Sequence, residues 1–304
     1  MEFLYLLEKL RVPGLNEFML GITHLGEETA FLAIALIVFW CVDKRRGYFL
    51  MAVGFAGTMI NQFLKLAFRV PRPWVLDENF TILEQAREAA SGYSFPSGHT
   101  QMAVGTFGAL AATAQRKQTA VTCWVLAFLV AFSRMYIGVH TPYDVGASVL
   151  IALALVYGLR PVVMCGGEQG MRPLIAAMLL VGVGLLAYVE LYPFPADMDE
   201  HNLESGIKNA YTMIGCLAGV AVVYGAEKRY VNFDTKAVWW AQILKVLLGL
   251  IVVLGVKEGL RAPLEVLFAG HMMARAVRYF LIVAAAGILW PMTFRWFSKM
   301  GVKK

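Results

Sequence analysis

Long runs of apolar residues, separated by short polar connections, make up most of this chain. A membrane-spanning helix needs roughly 17 to 25 apolar residues, and such runs lie at 27–43, 47–68, 97–115, 119–138, 142–164, 173–192, 207–226, 236–256 and 276–295. The preceding segment, residues 1–26, mixes leucine and phenylalanine with charges around Pro13-Gly14, which predicts an amphipathic helix and a turn along the membrane surface. The pattern therefore predicts an all-α fold, a polytopic membrane helical bundle with about nine transmembrane helices.

The connections between these runs alternate in charge. One set is basic and comprises Lys44-Arg45-Arg46, Arg116-Lys117, Arg160 with Arg172, Lys228-Arg229 with Lys236, and the tail residues Arg295, Lys299, Lys303 and Lys304. The other set holds most of the loop acids, namely Asp77, Glu78, Glu84, Glu88, Asp197, Asp199, Glu200 and Glu204. Because lysine and arginine concentrate in cytoplasmic loops, the basic set is expected to face the cytoplasm. With nine spans, the amino terminus then lies outside and the carboxyl terminus inside.

The composition agrees with a membrane protein. Of the 304 residues, 59% are hydrophobic and 16% are charged, whereas soluble globular proteins contain about 25% charged residues. The net charge of +6 follows from the cytoplasmic connections, so no nucleic-acid partner is expected. The amino terminus lacks the features of a removable signal peptide. Since no linker or repeat interrupts the chain, residues 1–304 are predicted to form a single membrane domain.

Three short polar clusters stand out between residues 65 and 144. The first reads Lys65, six residues, Arg72-Pro73, and the second reads Pro96-Ser97-Gly98-His99. The third reads Ser133-Arg134, five residues, His140, three residues, Asp144. Each cluster lies at the end of an apolar run, so all three are able to meet at one face of the bilayer. By the alternation of loop charge, that face is the outer one.

Four cations on the outer face run against the usual charge bias of membrane proteins and indicate an anionic ligand: Lys65, Arg69, Arg72 and Arg134. Arginine presents a planar fork of donors that matches phosphate oxygens, and lysine supplies a compact positive charge. Lys65, Arg72 and Arg134 are therefore predicted to bind a phosphoryl group. The alternative is that these cations contact lipid headgroups without any reaction.

Two histidines have neighbours suited to catalysis. Ser97 is a good helix cap, and Gly98 allows an anion to approach the backbone donors at the start of a helix. His99 is thereby placed beside that anion, where it is able to protonate a leaving alkoxide. His140 lies four residues before Asp144, whose carboxylate is expected to orient the imidazole as a nucleophile or base. Metal binding by these histidines is the alternative, but the surrounding cations disfavour it.

The three clusters resemble the three-part signature of the type 2 phosphatidic acid phosphatase superfamily. This family includes membrane lipid phosphatases, sphingosine phosphate phosphatases, glucose 6-phosphatase and soluble vanadium haloperoxidases. The resemblance implies that Lys65, Arg72, Ser97, Gly98 and Arg134 bind phosphate. It also implies that His140 forms a phosphohistidine, that Asp144 orients His140, and that His99 protonates the leaving group, without a metal or another cofactor.

The resemblance covers only part of the chain. The signature lies within residues 65–144, and the six-helix phosphatase core of the family would extend over residues 27–192. Residues 193–304 have no counterpart in that minimal core, and they are expected to form additional helices. Within them, Gly215 and Gly219 lie four apart on one helix face, a spacing that would allow a neighbouring helix to approach closely.

Two other features carry no assigned role. The outer loop 74–95 contains Ile82–Ala90, which is predicted to be a short helix that serves either as a lid over the site or as an inert connector. Four further cations lie near the outer side by this topology: Lys257, Arg261, Arg275 and Arg278. They either extend a surface that receives the anionic substrate or indicate that the last helices are placed wrongly.

We therefore expect an integral membrane phosphatase, in the plasma membrane of a bacterium, with its active site on the extracytoplasmic face. Its substrate partner would be a lipid phosphate or diphosphate held among membrane lipids. One alternative is a phosphotransferase that passes the phosphoryl group to a second lipid. Another is an anion or lipid transporter without hydrolysis, although the charges cluster at one face. The identity of the lipid and the oligomeric state stay open.

Overall fold

The structure is a computed structural model that describes residues 1–87, 90, 92–196 and 198–300. Four residues used in the charge pattern, Glu88, Asp197, Lys303 and Lys304, lie outside this described part. Of the described residues, 81% are helical, and no strand occurs among them. The prediction of an all-α fold is confirmed.

The chain divides into two compact units. Unit 1 contains Met1–Leu32, Phe49–Cys165 and Pro193–Gly206, and unit 2 contains Ala33–Tyr48, Gly166–Tyr192 and Ile207–Lys304. The predicted single membrane domain, and its division into a surface segment, a core over 27–192 and additional helices over 193–304, stays a prediction.

Fourteen α-helices occur along the described chain. The first eight are α1 (Glu2–Lys9), α2 (Pro13–Thr23), α3 (Glu28–Ile37), α4 (Lys44–Phe68), α5 (Pro73–Leu76), α6 (Gly98–Thr113), α7 (Lys117–Tyr136) and α8 (Pro142–Met164). The remaining six are α9 (Gly167–Leu191), α10 (Glu200–Ala226), α11 (Trp239–Gly259), α12 (Arg261–Leu267), α13 (Met273–Ala284) and α14 (Phe294–Lys299). Within unit 1, α6 packs against α7 and α8, and α2 packs against α7.

Seven helical segments of the described chain are long and apolar enough to cross a membrane, against the nine predicted. The run at 97–115 forms only the sixteen residues of α6, and polar side chains such as Gln101 and Thr106 are buried within it. The run at 27–43 follows a bend of 56° after Pro13–Gly26, and this bent pair makes an eighth candidate if it is one span. The chain is an integral membrane protein, but the count of nine and the six-helix core are not confirmed.

The short helix predicted over Ile82–Ala90 is wrong in its extent. The structure has a single 3-10 turn at Glu84–Ala86, and residues 88 and 89 lie outside the described part. Glu84 closes this turn through two hydrogen bonds from the guanidinium of Arg87, at 2.7 and 2.8 Å. This contact holds the pKa of the exposed Glu84 carboxyl below its usual value. A local ion pair thus favours one tight turn here.

Within unit 2, small residues allow α10 and α13 to pack closely. A Cβ added at Gly215 would overlap the carbonyl of Ala276, and one added at Gly219 would lie 2.7 Å from the side chain of Val283. Both glycines lie on α10, and both partners lie on α13. The close approach predicted from their spacing is confirmed.

Candidate active site

The three polar clusters meet within unit 1. Lys65 lies near the end of α4 and Arg72 at the start of α5, whereas Ser97, Gly98 and His99 begin α6. Arg134 lies in the last turn of α7, and His140 and Asp144 flank the start of α8. Hydrogen bonds connect these elements, so residues far apart in the sequence form one site.

Arg72 joins two loops of this site. Its Nε donates to the carbonyl of Gly92 at 3.0 Å, and one terminal nitrogen donates to the carbonyl of Val139 at 3.0 Å. The same nitrogen lies 3.0 Å from Nε2 of His140. Lys65 is also buried, and its amino group donates to the carbonyl of Tyr93. The first cluster therefore contacts both the loop before α6 and the loop before α8.

The contact with Arg72 fixes the tautomer of His140. A guanidinium has no acceptor, so Nε2 of His140 must accept the hydrogen bond, and the neutral ring carries its proton on Nδ1. His140 lies in the loop between α7 and α8, and burial lowers the pKa of its imidazole well below the usual value. The charges of Arg72, Arg134 and Lys65 lower this pKa further. His140 is thus held neutral, with a lone pair on Nε2.

Asp144 faces the other nitrogen of His140. Its Oδ2 lies 3.6 Å from Nδ1, beyond a normal hydrogen bond. The same oxygen accepts hydrogen bonds from Oγ of Ser94 and from the amide of Thr141, both at 2.7 Å. Ser94 Oγ in turn lies 3.5 Å from Nδ1 of His140. Asp144 and Ser94 together present oxygen atoms to the protonated side of the imidazole.

Local sequence explains why these residues hold their positions. Thr141 and Asp144 form a capping box, in which each side chain accepts a hydrogen bond from the backbone of the other, and Pro142 occupies the first turn of α8. Ser97 caps α6 by accepting from the amide of Thr100 at 3.4 Å. The amide of Ser97 donates to the carbonyl of Asp144 at 3.2 Å, which ties the starts of α6 and α8 together.

Two buried polar atoms of the site have no hydrogen-bond partner within the described part of the chain: Nε2 of His99 and Nε of Arg134. The side chain of Arg134 is held by a hydrogen bond from a terminal nitrogen to Oγ1 of Thr23, at 2.7 Å. His99 lies within electrostatic range of Arg134, Arg72 and Lys65. Buried polar atoms are normally paired, so these two are suited to a ligand that carries negative charge.

The room beside Gly98 also suits an anion. A Cβ added at Gly98 would have Oδ1 of Asn61 as its nearest neighbour, at 3.8 Å, so the backbone at the start of α6 is not crowded. An α-helix of this length places free amide donors and a positive dipole end at its first turn. Among the described residues, no group of three His, Cys, Asp or Glu side chains is arranged to hold a metal.

Sequence reasoning missed three residues of this site. Ser94 and Thr23 are buried, and each binds a predicted site residue through its side chain. Thr141 was missed as well, although its place three residues before Asp144 is the capping-box spacing. Arg69, by contrast, was predicted among the outer cations. Its backbone is in the left-handed region, with a φ of +51°. Its positive charge favours the ionised form of Tyr93.

Two family models match parts of the chain. The profile of the PAP2 superfamily matches residues 45–164, and that of the PAP2 superfamily phosphatase, transmembrane extension, matches residues 211–302. The second match covers most of the segment predicted as additional helices. No solved structure matches the chain.

Three curated proteins are similar to parts of the chain. Phosphatidylglycerophosphatase B of Bacillus subtilis is 30% identical over 161 residues, which are 49% of this chain and 75% of that protein. Undecaprenyl-diphosphatase BcrC of the same organism is 31% identical, over 41% of this chain and 63% of that protein. A probable sphingosine-1-phosphate phosphatase of Dictyostelium discoideum is 33% identical, over 45% of this chain and 36% of that protein. The chain belongs to the PAP2 superfamily.

Proposed function

We propose that this protein is a membrane phosphatase that hydrolyses a lipid phosphate or diphosphate through a phosphohistidine on His140. The observation that carries the proposal is the position of the imidazole of His140, whose Nε2 lies 3.0 Å from the guanidinium of Arg72 and whose Nδ1 faces Asp144 and Ser94. A nucleophile with its lone pair beside a phosphate-binding arginine is what attack on phosphorus requires. The names of the relatives support a lipid substrate.

In the proposed first step, Lys65, Arg72 and Arg134 bind the phosphoryl oxygens, together with the amides at the start of α6. Nε2 of His140 then attacks phosphorus, and the bond from phosphorus to the leaving oxygen breaks. The cations offset the charge that spreads over the phosphoryl oxygens in the transition state. Asp144 stabilises the imidazole ring as it becomes positively charged.

His99 supplies and recovers the proton. Burial and the charges of the three phosphate-binding cations lower the pKa of His99 in the free protein, and the negative charge of a bound substrate offsets those cations, so His99 takes up a proton together with the substrate. As the phosphorus–oxygen bond breaks, His99 transfers this proton to the leaving lipid oxygen, or to the leaving lipid phosphate of a diphosphate. Neutral His99 then takes a proton from water, whose oxygen attacks the phosphohistidine and releases inorganic phosphate. His140 returns to its neutral form, so the cycle is balanced without a metal ion.

The site is assigned to the outer leaflet of a bacterial plasma membrane. Support comes from the basic connections, which concentrate on the side opposite to the three clusters. It comes also from two bacterial relatives named for lipid phosphate or diphosphate substrates. A site at the outer leaflet would receive the lipid headgroup while the acyl or prenyl chain stays in the bilayer.

The test measures phosphate release by the purified full chain in detergent micelles, with a chelator present, from a panel of lipid monophosphates and diphosphates. We expect chelator-resistant release that is lost in His140→Ala and kept in the matched control His201→Ala, since His201 is exposed and outside the site. Quenching with alkaline detergent after reaction with a phosphorus-labelled substrate should trap a phosphoprotein in the wild type only, and acid treatment should then release its label. Full activity of folded His140→Ala would overturn the proposal, and label passing to a second lipid would indicate phosphotransfer.

A further inference from the structure

A second polar cavity lies wholly within unit 2. Its volume is about 520 Å³, and it is formed by α10, the end of α11, α12 and the start of α13. Its charged lining consists of five cations, Lys208, Lys257, Arg261, Arg275 and Arg278, and two carboxylates, Glu258 and Glu265. Neither the phosphatase signature nor the proposed reaction uses any of these residues.

The carboxylates offset only part of this charge. Glu265 accepts from Nε of Arg261 at 3.4 Å, and Glu258 lies 3.7 Å from the amino group of Lys257. Both pairs are substantially exposed, where ion pairs are weak. Cations therefore outnumber carboxylates in the lining, and an anion would be attracted to it.

Two arginines on α13 contact side chains within unit 2. Arg275 donates from Nε to Oγ1 of Thr212 at 2.7 Å. The guanidinium carbons of Arg275 and Arg278 lie 5.4 and 5.7 Å from the ring centre of Tyr279. Nε of Arg278 is buried without a hydrogen-bond partner in the described part of the chain. A guanidinium group matches the oxygens of a phosphate, and Arg275, already bound to Thr212, would lose little freedom on binding one.

The surroundings favour a ligand that belongs to a membrane. On α12, which contributes Glu265 to the lining, the neighbouring side chains of Val266 and Leu267 are 81% and 75% exposed. Large apolar side chains beside a cationic cavity are typical of a segment that lies in the interfacial region of a bilayer. The cavity volume also falls within the range of small-molecule sites, roughly 300 to 1,000 Å³.

We propose that this cavity is a binding site for the phosphate-bearing headgroup of an anionic membrane lipid, separate from catalysis. The group that would be recognised is a phosphate ester, which accepts hydrogen bonds from Arg275 and Arg278. Lys257, a partly exposed residue of the cavity lining, adds electrostatic attraction. A soluble phosphate ester offers the same anion but lacks the acyl chains that would contact the apolar face of α12. The lipid and the soluble ligand are therefore distinguishable.

The experiment uses delipidated full-length protein in a neutral detergent. Native mass spectrometry measures binding of short-chain phosphatidylglycerol, short-chain phosphatidylcholine, glycerol 1-phosphate and inorganic phosphate. Wild type is compared with three variants. Arg278→Gln removes a cation of the cavity, and Lys257→Gln does the same at a partly exposed position, so it serves as the test variant if Arg278→Gln fails to fold. Arg295→Gln is the control, because Arg295 is exposed and lies outside the cavity. His140→Ala identifies any binding that depends on the active-site histidine.

We expect phosphatidylglycerol to bind more tightly than the other three ligands, and removal of one charge-assisted contact to weaken it about tenfold. Arg295→Gln and His140→Ala should keep this binding, and phosphate release should be unchanged in Arg278→Gln. Equal affinity of Arg278→Gln, Lys257→Gln and wild type would overturn the proposed site. Equal affinity for glycerol 1-phosphate and phosphatidylglycerol would overturn its assignment to a lipid.

Discussion

Replacing Ser94 with alanine tests the geometry around His140 most directly. Ser94 and Asp144 are fully buried, and the 2.7 Å hydrogen bond between them is of the charge-assisted kind. Alanine removes one of the two donors that bind Asp144 Oδ2 within 3 Å, and the amide of Thr141 remains. The carboxylate is then less firmly held beside Nδ1 of His140.

The expected size follows from the loss of this bond. A hydrogen bond to a charged group contributes roughly 1.5 to 3 kcal/mol, and about 1.4 kcal/mol corresponds to a tenfold change in rate. If the bond orients Asp144 as His140 becomes charged, kcat for Ser94→Ala should fall roughly ten- to hundredfold. Ser94 donates to Asp144 and to no predicted phosphate-binding side chain, so KM should change little.

The assay is steady-state phosphate release in micelles, with the free energy of unfolding measured in parallel. The matched control is Ser133→Ala, because Ser133 is equally buried and its hydroxyl donates to the carbonyl of Val130 rather than to Asp144 or His140. Ser94→Cys, which keeps a weak donor, should fall between Ser94→Ala and wild type. A kcat for Ser94→Ala within twofold of the control, or a loss confined to KM, would refute the positioning role.

Three further predictions concern other parts of the chain. Because the pKa of His140 is lowered in the folded protein, the unfolded state binds more protons below about pH 6.5. The free energy of unfolding should therefore fall as the pH drops through this range. In the pH profile of kcat/KM, the loss of activity on the acid side should begin below about pH 6.5. A loss that begins above about pH 6.5 would contradict a neutral nucleophile. Arg134→Gln should lower kcat/KM for phosphate release at least a hundredfold. Arg134→Lys should restore it only in part, since lysine lacks the fork of donors. Full activity of Arg134→Lys would show that only the positive charge at position 134 is needed. Gly215→Ala should lower the free energy of unfolding by roughly 1 to 3 kcal/mol, because the added Cβ would overlap Ala276. The control in denaturant titrations is Gly225→Ala, where an added Cβ would have no neighbouring atom within 4 Å. Equal stability of the two variants would contradict close packing of α10 and α13.

The sequence predicted the polar centre of the site better than its supporting residues. Lys65, Arg72 and His140 are recognisable because charged and ionisable residues are rare within apolar runs. Ser94 and Thr23 carry no such signal, since a serine or threonine in a membrane protein is common and its partner is set by tertiary packing. Their contacts with Asp144 and Arg134 span 50 and 111 residues of sequence.

The helix count shows a similar limit of pattern reasoning. An apolar run predicts a span through its length and hydropathy, but neither property records where the backbone bends. The run at 97–115 becomes a helix that ends at Thr113, because Ala114 is extended. The run at 27–43 begins after a sharp change of direction at Gly26. By contrast, the spacing of Gly215 and Gly219 was informative because helix geometry alone places them on one face.

The capping box at α8 has a consequence for the entropy of catalysis. The amide of Thr141 and Oγ of Ser94 bind the same Asp144 oxygen that faces His140, so the bonds that start the helix also restrain the proposed nucleophile. These bonds are already formed in the free protein, so we expect the binding energy of the phosphate to be available for the transition state rather than for ordering the segment that holds His140. The free protein is thus preorganised, and its turnover should depend little on conformational change in this loop.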